Sequence, residues 1–401
     1  MADRPARSPL ARRMGLIQPF HVMALLARAR ELEAAGRSVV HMEIGEPDFP
    51  SPPAVVEAGR AALAAGYTHY TPAAGLPELR AAIAGFYATR YGVTVAPERV
   101  VVTPGASGAL QLVLAVLVDP GARVLLTDPG YPCNRNFVHL VDGVPMGVPV
   151  TADDDYQISA ARARDLWTAD TAAMLVASPA NPTGAVLPEM QLRALAEVAA
   201  VGGGRLIVDE IYHGLTYGAD ETTALAVSDQ VFVINSFSKY FGMTGWRLGW
   251  VVAPQDYVAE LEKLAQNLFL SAPTPAQHAA LAAFQPGTIA LLEERRQAFR
   301  ERRDYLLPAL RDIGFGIPRS PEGAFYLYAD CSRFTDDSFG FARDLLEQVG
   351  VAITPGVDFG AYQPERHVRF AYTTGMEQLR EGVRRLQACL GQGRPNSVTR
   401  P

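Results

Sequence analysis

Apolar residues along this chain fall into short unbroken runs separated by stretches of helical period. Runs at 100–103, 124–127, 173–177, 206–208, 231–234 and 248–252 are too short for helices and rich in Val, Ile, Leu and Ala, so they predict strands. Between them the pattern predicts helices over 107–118, 131–141 and 188–201. Strands that are apolar throughout need cover on both faces, so they imply an α/β domain with a mainly parallel sheet and helices on each side. Gly202-Gly203-Gly204 reads as a helix stop before the next strand, not as a nucleotide loop.

From about residue 286 the pattern changes. A long helix rich in Glu and Arg, 289–313, leads into short segments at 314–318, 324–328, 351–353 and 367–371. Helices at 338–349 and 376–390 complete a smaller α+β domain. The N-terminal segment through Ile44 is expected to pack with it, and Gly45-Glu46-Pro47-Asp48 to cross between the two parts. The expected division is 1–45 for an N-terminal arm and part of the small domain, 46–285 for the large domain and 286–401 for the small one. The chain has no internal repeat, low-complexity tract or long linker.

Composition narrows the function classes. A length of 401 residues allows two domains with real cores, and 49% apolar with 19% charged residues is ordinary for a soluble enzyme. A net charge of −6 gives no electrostatic reason to expect nucleic acid as a partner. The apolar run 109–118 is interrupted by Gln111 and stops at Asp119-Pro120, too short to cross a membrane. Residues 1–14 are rich in Arg without the apolar core of a secretory signal, and read as a disordered or partner-clasping arm, with a transit peptide as the alternative. Residues 391–401 read as a frayed tail. Cys133, Cys331 and Cys389 are widely spaced and the histidines are scattered, so neither a disulfide framework nor a metal site is expected. A cytoplasmic location fits best.

Lysine usage is the sharpest compositional signal. Only two of the 36 basic residues are lysine, Lys239 and Lys263. Arginine serves wherever a surface cation suffices, but a guanidinium cannot lose its proton and attack a carbonyl. Lys263 lies in an amphipathic helix, 258–268, beside Glu262 and reads as a solvated surface residue. Lys239 follows an apolar strand directly, in Ser236-Phe237-Ser238-Lys239, and is the candidate amine.

Other polar residues also fall just beyond strand ends, where open α/β sheets bind ligands. Asp209 follows 206–208, Asn181 follows 173–177 after a short loop, and Gly105-Ala106-Ser107-Gly108 follows 100–103 and opens a helix. Main-chain N–H groups at such a helix start favour a phosphate, and Arg247 offers a second, fork-like contact. No GxGxxG or GxxxxGK[ST] occurs, which argues against a dinucleotide or triphosphate. The set suggests a phosphate-bearing aldehyde cofactor: Lys239 condenses with the aldehyde, and Asp209 holds a ring nitrogen protonated so that the ring becomes an electron sink.

Ser236-x-Ser238-Lys239-x7-Arg247-x-Gly249 resembles the lysine signature of the aspartate aminotransferase family, the class I/II fold-type I enzymes that use pyridoxal 5'-phosphate. Gly45-x-Pro47-Asp48, Tyr70-x-Pro72-x-x-Gly75, Asn181-Pro182-Thr183-Gly184, Asp209-Glu210-x-Tyr212 and Val368-Arg369-Phe370 resemble further family motifs in the same order, from about Pro19 to Leu390. The resemblance implies the fold-type I architecture and a role for each matched residue. Lys239 is similar to the lysine that holds the cofactor as a Schiff base and shuttles the proton. Asp209 matches the partner of the pyridine nitrogen, and Tyr212 and Asn181 match donors to the phenolic oxygen. Tyr131 matches the ring that stacks on the cofactor, while Ala106, Ser107, Ser236 and Arg247 match the phosphate cradle. Tyr70 matches a tyrosine reaching the phosphate of the second subunit, which implies a homodimer. Arg369 resembles the arginine that grips the substrate α-carboxylate, with Gly45, Asn181 and Tyr131 beside that group. Cys133 lies nearby but lacks a base and receives no role.

The resemblance implies ping-pong exchange of an amino group between an amino acid and a 2-oxo acid. A C–S β-lyase or related eliminase on the same constellation is the alternative. A cofactor-binding regulator would need a DNA-binding head, and fewer than about twenty residues precede the matched region. Acid-specific relatives carry a cation at one of two positions, which align here with Asn267 and Ser107. Neither supplies one, so neutral amino acids are the expected substrates, the alternative being that another arginine, such as Arg135, supplies the charge.

Overall fold

Twelve strands form three sheets among residues 10–391, the part of the chain described by this computed structural model. Most of the expected arm at 1–14, and the expected tail beyond Gly391, lie outside the described residues. In chain order the strands are β1 (Val40–His41), β2 (Val100–Thr103), β3 (Arg123–Asp128), β4 (Val144–Pro149), β5 (Thr171–Ala177), β6 (Arg205–Asp209), β7 (Phe232–Ser236), β8 (Gly249–Val252), β9 (Tyr326–Asp330), β10 (Val351–Ala352), β11 (Thr354–Pro355) and β12 (His367–Ala371).

The large sheet runs β2-β8-β7-β6-β5-β3-β4. Neighbours are parallel except around β8, which is antiparallel to both β2 and β7. Its strands bury both faces because alternate residues face different helical layers. Along β6, Leu206 and Val208 join one core cluster and Ile207 the other, and β7 divides Val233 from Phe232 and Ile234 in the same way. Burying such side chains stabilises by roughly 1.5–3 kcal/mol each, so packing rather than strand propensity holds these central strands. The helices Gly105–Leu117 and Val258–Leu268 cover one face. The mainly parallel sheet with helices on both faces, accompanied by smaller sheets, is the expected α/β fold-type I architecture.

The expected strand and helix cores recur with shifted ends, as with the helix Pro286–Ile313, which starts three residues before the expected 289. Several elements were not expected. β4 carries Pro145, Gly147 and Pro149, which hides a strand in sequence; it is tolerated because β4 is an edge strand paired only with β3. The short strands β1 and β11 and the helices at His21–Ala34, Pro53–Ala64, Pro77–Tyr91, Ala160–Leu166 and Thr274–Leu281 were not expected either. Proline at the first helical position of Pro53–Ala64 and Pro77–Tyr91 was a usable start signal. The segment expected at 314–318 forms only the isolated bridge Gly316–Asp330.

The small sheets carry the rest. β12 lies between β11 and β9, antiparallel to both, while β10 pairs in parallel with β1. Met42 ties the two together: its N–H donates to Ala352 O (2.9 Å) and its carbonyl accepts from Ala371 N (2.7 Å). Further on, Asp48 receives both terminal nitrogens of Arg302 at 2.8 and 3.0 Å, pinning the segment after Gly45 to the long helix. Residues 44–46 thus run along the carboxyl ends of the large-sheet strands with their geometry fixed on both sides.

Candidate active site

Register brings the candidate residues to one edge of the large sheet. Asp209, the last residue of β6, pairs with Ile234 of β7 on one side and Ala177 of β5 on the other. Thr103 and Ser236 both oppose Gly249, the first residue of the antiparallel β8. The turns leaving these ends carry Gly105, Tyr131, Asn181, Lys239 and, entering β8, Arg247. They enclose a cavity of about 500 Å³, whose walls include Gly45, Ala106, Ser107, Tyr131, Asn181 and Asp209. Tyr212, Lys239, Arg247 and Arg369 also line it.

The two central ionisable groups are displaced from ordinary behaviour in opposite directions. Asp209 is 4% exposed, and among the described residues its carboxylate receives one hydrogen bond, from Ile211 N–H at 3.1 Å. Burial, partly opposed by that N–H, pushes its carboxyl up to about 6. Burial lowers the Lys239 amine to about 8, against the opposing pull of Glu46 and with help from Arg369 and Arg247. Lys239 Nζ donates to Gly45 O at 2.7 Å. An amine held near 8 keeps a useful unprotonated fraction at neutral pH, and a buried carboxylate with one N–H is short of a cationic partner.

A cradle forms where β2 meets its helix. The helix Gly105–Leu117 starts without a side-chain cap, so its first N–H groups have no side-chain acceptor, and Ala106 and Ser107 of its first turn line the cavity. Gly105 has φ +72°, and a Cβ there would lie 2.7 Å from Arg247 Nη2. A Cβ on Gly249 would lie 2.6 Å from Gly105 C and 2.7 Å from Ala106 N. Glycine at both positions lets β8, the helix start and Arg247 approach closely enough to surround an anion. Arg247 itself adopts a left-handed backbone, φ 52°, and Nη1 donates to Thr244 O at 2.9 Å. Ser236 sits behind this wall, donating to Leu248 O (3.0 Å) and accepting from Ser238 N (3.0 Å), while Ser238 lines the cavity.

The opposite wall comes from the small sheets. Arg369, on the central strand β12, donates to Asn181 Oδ1 (2.9 Å), Glu43 O (2.7 Å) and Thr354 Oγ1 (3.2 Å). Its guanidinium lies 4.1 Å from the Tyr326 ring centre and 4.9 Å from that of Phe359, while its buried Nε lacks a partner among the described residues. A planar, buried, incompletely satisfied fork suits a carboxylate. Tyr212 and Tyr326 share a hydroxyl hydrogen bond of 2.8 Å. A Cβ on Gly45 would overlap the Tyr326 hydroxyl, so glycine is required there.

Besides Ser236, which sits behind the wall, several residues singled out in the sequence do not line this cavity. Tyr70 is 80% exposed, and Asn267 is on the surface with Nδ2 donating to Lys263 O. Arg135 lines a smaller neighbouring cavity and donates to Asp358 O at 2.9 Å. Lys263 pairs with Glu260 at the surface. Sequence reasoning missed the wall residues Phe20, Val22, Ile44, Glu46, Thr244, Tyr326, Asp358 and Phe359. Glu46 had a signal, since it sits inside the Gly45–Asp48 motif; it accepts from Thr244 Oγ1 at 2.6 Å.

Comparison with known proteins agrees with this geometry. The family described as "Aminotransferase class I and II" matches residues 37–386. A valine–pyruvate aminotransferase of Mycobacterium tuberculosis is 38% identical over 93% of this chain and 97% of its own. An aspartate/prephenate aminotransferase of Thermus thermophilus is 37% identical over 96% of this chain and 99% of its own. Among solved structures, an aminotransferase from Mycobacterium tuberculosis superposes with a TM-score of 0.93 at 38% identity, covering 96% of this chain and all of that one. Aspartate aminotransferase from Thermus thermophilus with maleate gives 0.90 at 36% identity, with 95% of this chain and all of that one covered.

The raised Asp209 carboxyl has a measurable consequence. The folded chain holds this proton up to about pH 6, whereas the unfolded chain releases it near the ordinary value of 3.8. Stability of the unliganded protein therefore falls as pH rises through that window, by roughly 3 kcal/mol for about two pKa units, and stays lower above it. Asp209→Asn is expected to stabilise the unliganded protein by about 2–3 kcal/mol at pH 7 and to make little difference near pH 4. Urea unfolding at both pH values checks this; equal stability of parent and variant at pH 7 contradicts it.

Proposed function

The chain belongs to the class I and II aminotransferase family, and from that premise we propose the roles of its site residues and the class of amino acid it takes. Its activity is pyridoxal-5'-phosphate-dependent transfer of an amino group between an amino acid and a 2-oxo acid. The observation that carries the assignment of roles is the pairing of Lys239 and Asp209, which sit at or just beyond the ends of adjacent strands with burial opposing the charged form of each.

When bound, the cofactor supplies an aldehyde for amine exchange and a ring that withdraws electrons from the substrate α-carbon. Lys239, with its lowered pKa, supplies the amine and carries the proton to and from that carbon. Asp209 meets the ring nitrogen as the cation its carboxylate lacks, and that charge draws its own pKa back down. Asn181 and Tyr212 donate to the phenolic oxygen, and Tyr131 lies against the ring. Ala106, Ser107, Ser236 and Arg247 hold the phosphate at the uncapped helix start, with Ser238 beside them. Arg369 takes the substrate α-carboxylate between the Tyr326 and Phe359 rings, with Asn181, Tyr131 and Gly45 at its edge. We assign residues 46–285 to a large cofactor-binding domain, and 1–45 with 286–401 to a small one that brings Arg369.

The active form in this proposal is a homodimer in which Tyr70 completes the phosphate site of the partner. Its exposure supports this, as does that of Tyr67, which stacks on His278. No helix among the described residues is long and apolar enough to cross a membrane. We place the enzyme in the cytoplasm, where three unpaired cysteines are at home.

Neutral amino acids are the proposed substrates. Asn267 and Ser107 bring no cation, and Arg135 lies in the neighbouring cavity, committed to a main-chain carbonyl. Mixing the loaded enzyme with single amino acids is expected to convert its spectrum to the pyridoxamine form with alanine, aliphatic or aromatic donors, and to do so more slowly with aspartate. Release of pyruvate and ammonia without that conversion points to the lyase; kcat/KM for aspartate or glutamate above every neutral donor overturns the neutral reading. Arg369→Ala should raise KM for every donor by about 100-fold, the loss of a charge-assisted pair of roughly 3 kcal/mol. Tyr70→Phe is expected to bind the cofactor several-fold more weakly while remaining a folded dimer in sedimentation, and an active monomer contradicts the shared site.

A further inference from the structure

One wall of the cavity holds a carboxylate that the assignments above leave without a role. Asp358 is 3% exposed and lines the cavity together with Phe20, Val22, Ile44 and Phe359. The helix His21–Ala34 begins there, and Phe20 at its cap position offers no capping side chain. Asp358 supplies the cap from the far end of the chain. Its Oδ1 accepts from His21 N (2.8 Å) and from His21 Nδ1 (2.9 Å), and its Oδ2 accepts from Val22 N (2.9 Å).

Its own backbone is held as firmly. Arg135 Nη2 donates to Asp358 O (2.9 Å), and Gly130 N to Phe359 O (2.8 Å). The Asp128 carboxylate at the end of β3 accepts from Ala361 N (2.9 Å) and Tyr362 N (3.3 Å). The loop is therefore fixed to the large sheet on one side and to the first turn of the helix on the other.

A helix start directed at a substrate cavity would otherwise present free N–H groups and the positive end of the dipole, which together attract anions. Here a resident carboxylate takes those donors. We propose that Asp358 is a specificity-determining residue: it occupies the helix N–H groups that would receive a second substrate carboxylate, and it pins Phe20 and Val22 so that the wall presents carbon. This rests on the reading that Arg369 takes the α-carboxylate and Arg247 the phosphate, since these are the two arginines that line the cavity. A dicarboxylic amino acid then finds the helix N–H groups already taken and meets a carboxylate there, whereas an aliphatic or aromatic side chain loses nothing.

The test compares the loaded parent enzyme with Asp358→Asn and Asp358→Ser. Both variants remove the charge and keep an acceptor able to cap a helix, while leaving one helix N–H free. The readout is the ratio of kcat/KM for aspartate to that for leucine within one sample, which does not depend on the fraction of folded enzyme. The ratio is expected to rise at least tenfold in each variant, and succinate, titrated by calorimetry, to bind at least tenfold more tightly than to the parent. Ratios within twofold of the parent, with unchanged succinate affinity, overturn the proposal. Residue-resolved amide exchange on the parent alone adds a check that needs no variant: His21 and Val22 should exchange at least tenfold more slowly than uncapped first-turn amides, and unprotected amides there also overturn it. A parent that prefers aspartate defeats the neutral-substrate reading, yet the shift in ratio between parent and variants still decides the role of Asp358.

Discussion

Burial of an amine and a carboxylate at the same sheet edge governs the organisation of this molecule. Asp209 ends β6 and Lys239 follows β7 by three residues, so parallel pairing of two buried strands with apolar centres delivers both groups to one place. Neither ionises freely there, because burial opposes charge on each. Stability alone would favour apolar residues at both positions. Keeping both groups makes the site costly when empty and receptive to a ligand that carries a cationic ring nitrogen, an electrophilic carbon and a phosphate.

The surrounding architecture serves that placement. Reversing one strand, β8, puts Gly249 against both Thr103 and Ser236 and feeds Arg247 into the cavity from the opposite direction. The small sheets then close the other side, with β12 holding Arg369 between β11 and β9 and with Met42 joining them to the segment that ends at Gly45. Arg369 and Lys239 thus reach one cavity from different sheets. The hydrogen bonds from Lys239 to Gly45 O, from Arg369 to Asn181 Oδ1 and between the Tyr212 and Tyr326 hydroxyls link the two halves of the wall directly.

Most of the central sheet was legible because its strands are buried on both faces and read as apolar runs. The exception, β4, lies at an edge where prolines are tolerated, and its half-exposed pattern carries no such run. The chemistry was legible for a different reason: Lys239, Asp209, Asn181 and Arg247 stand next to strand ends in sequence, so local reading places them. Phe20, Val22, Asp358 and Phe359 were not legible. They meet through contacts that span more than 300 residues, and nothing local marks Asp358 as the cap of a helix that begins at His21. Tyr326 was hidden similarly, since its role follows from proximity to Gly45 and Arg369 and not from any motif.

The central claim is that Lys239, one of only two lysines in the chain, is the amine to which the cofactor is joined. Borohydride reduction of the loaded enzyme followed by peptide mass spectrometry tests it most directly. The account predicts a single stoichiometric pyridoxyl adduct on the peptide containing Lys239, and none on the peptide containing the exposed Lys263. An adduct on Lys263, or no adduct on Lys239 in an enzyme that still transaminates, would contradict it.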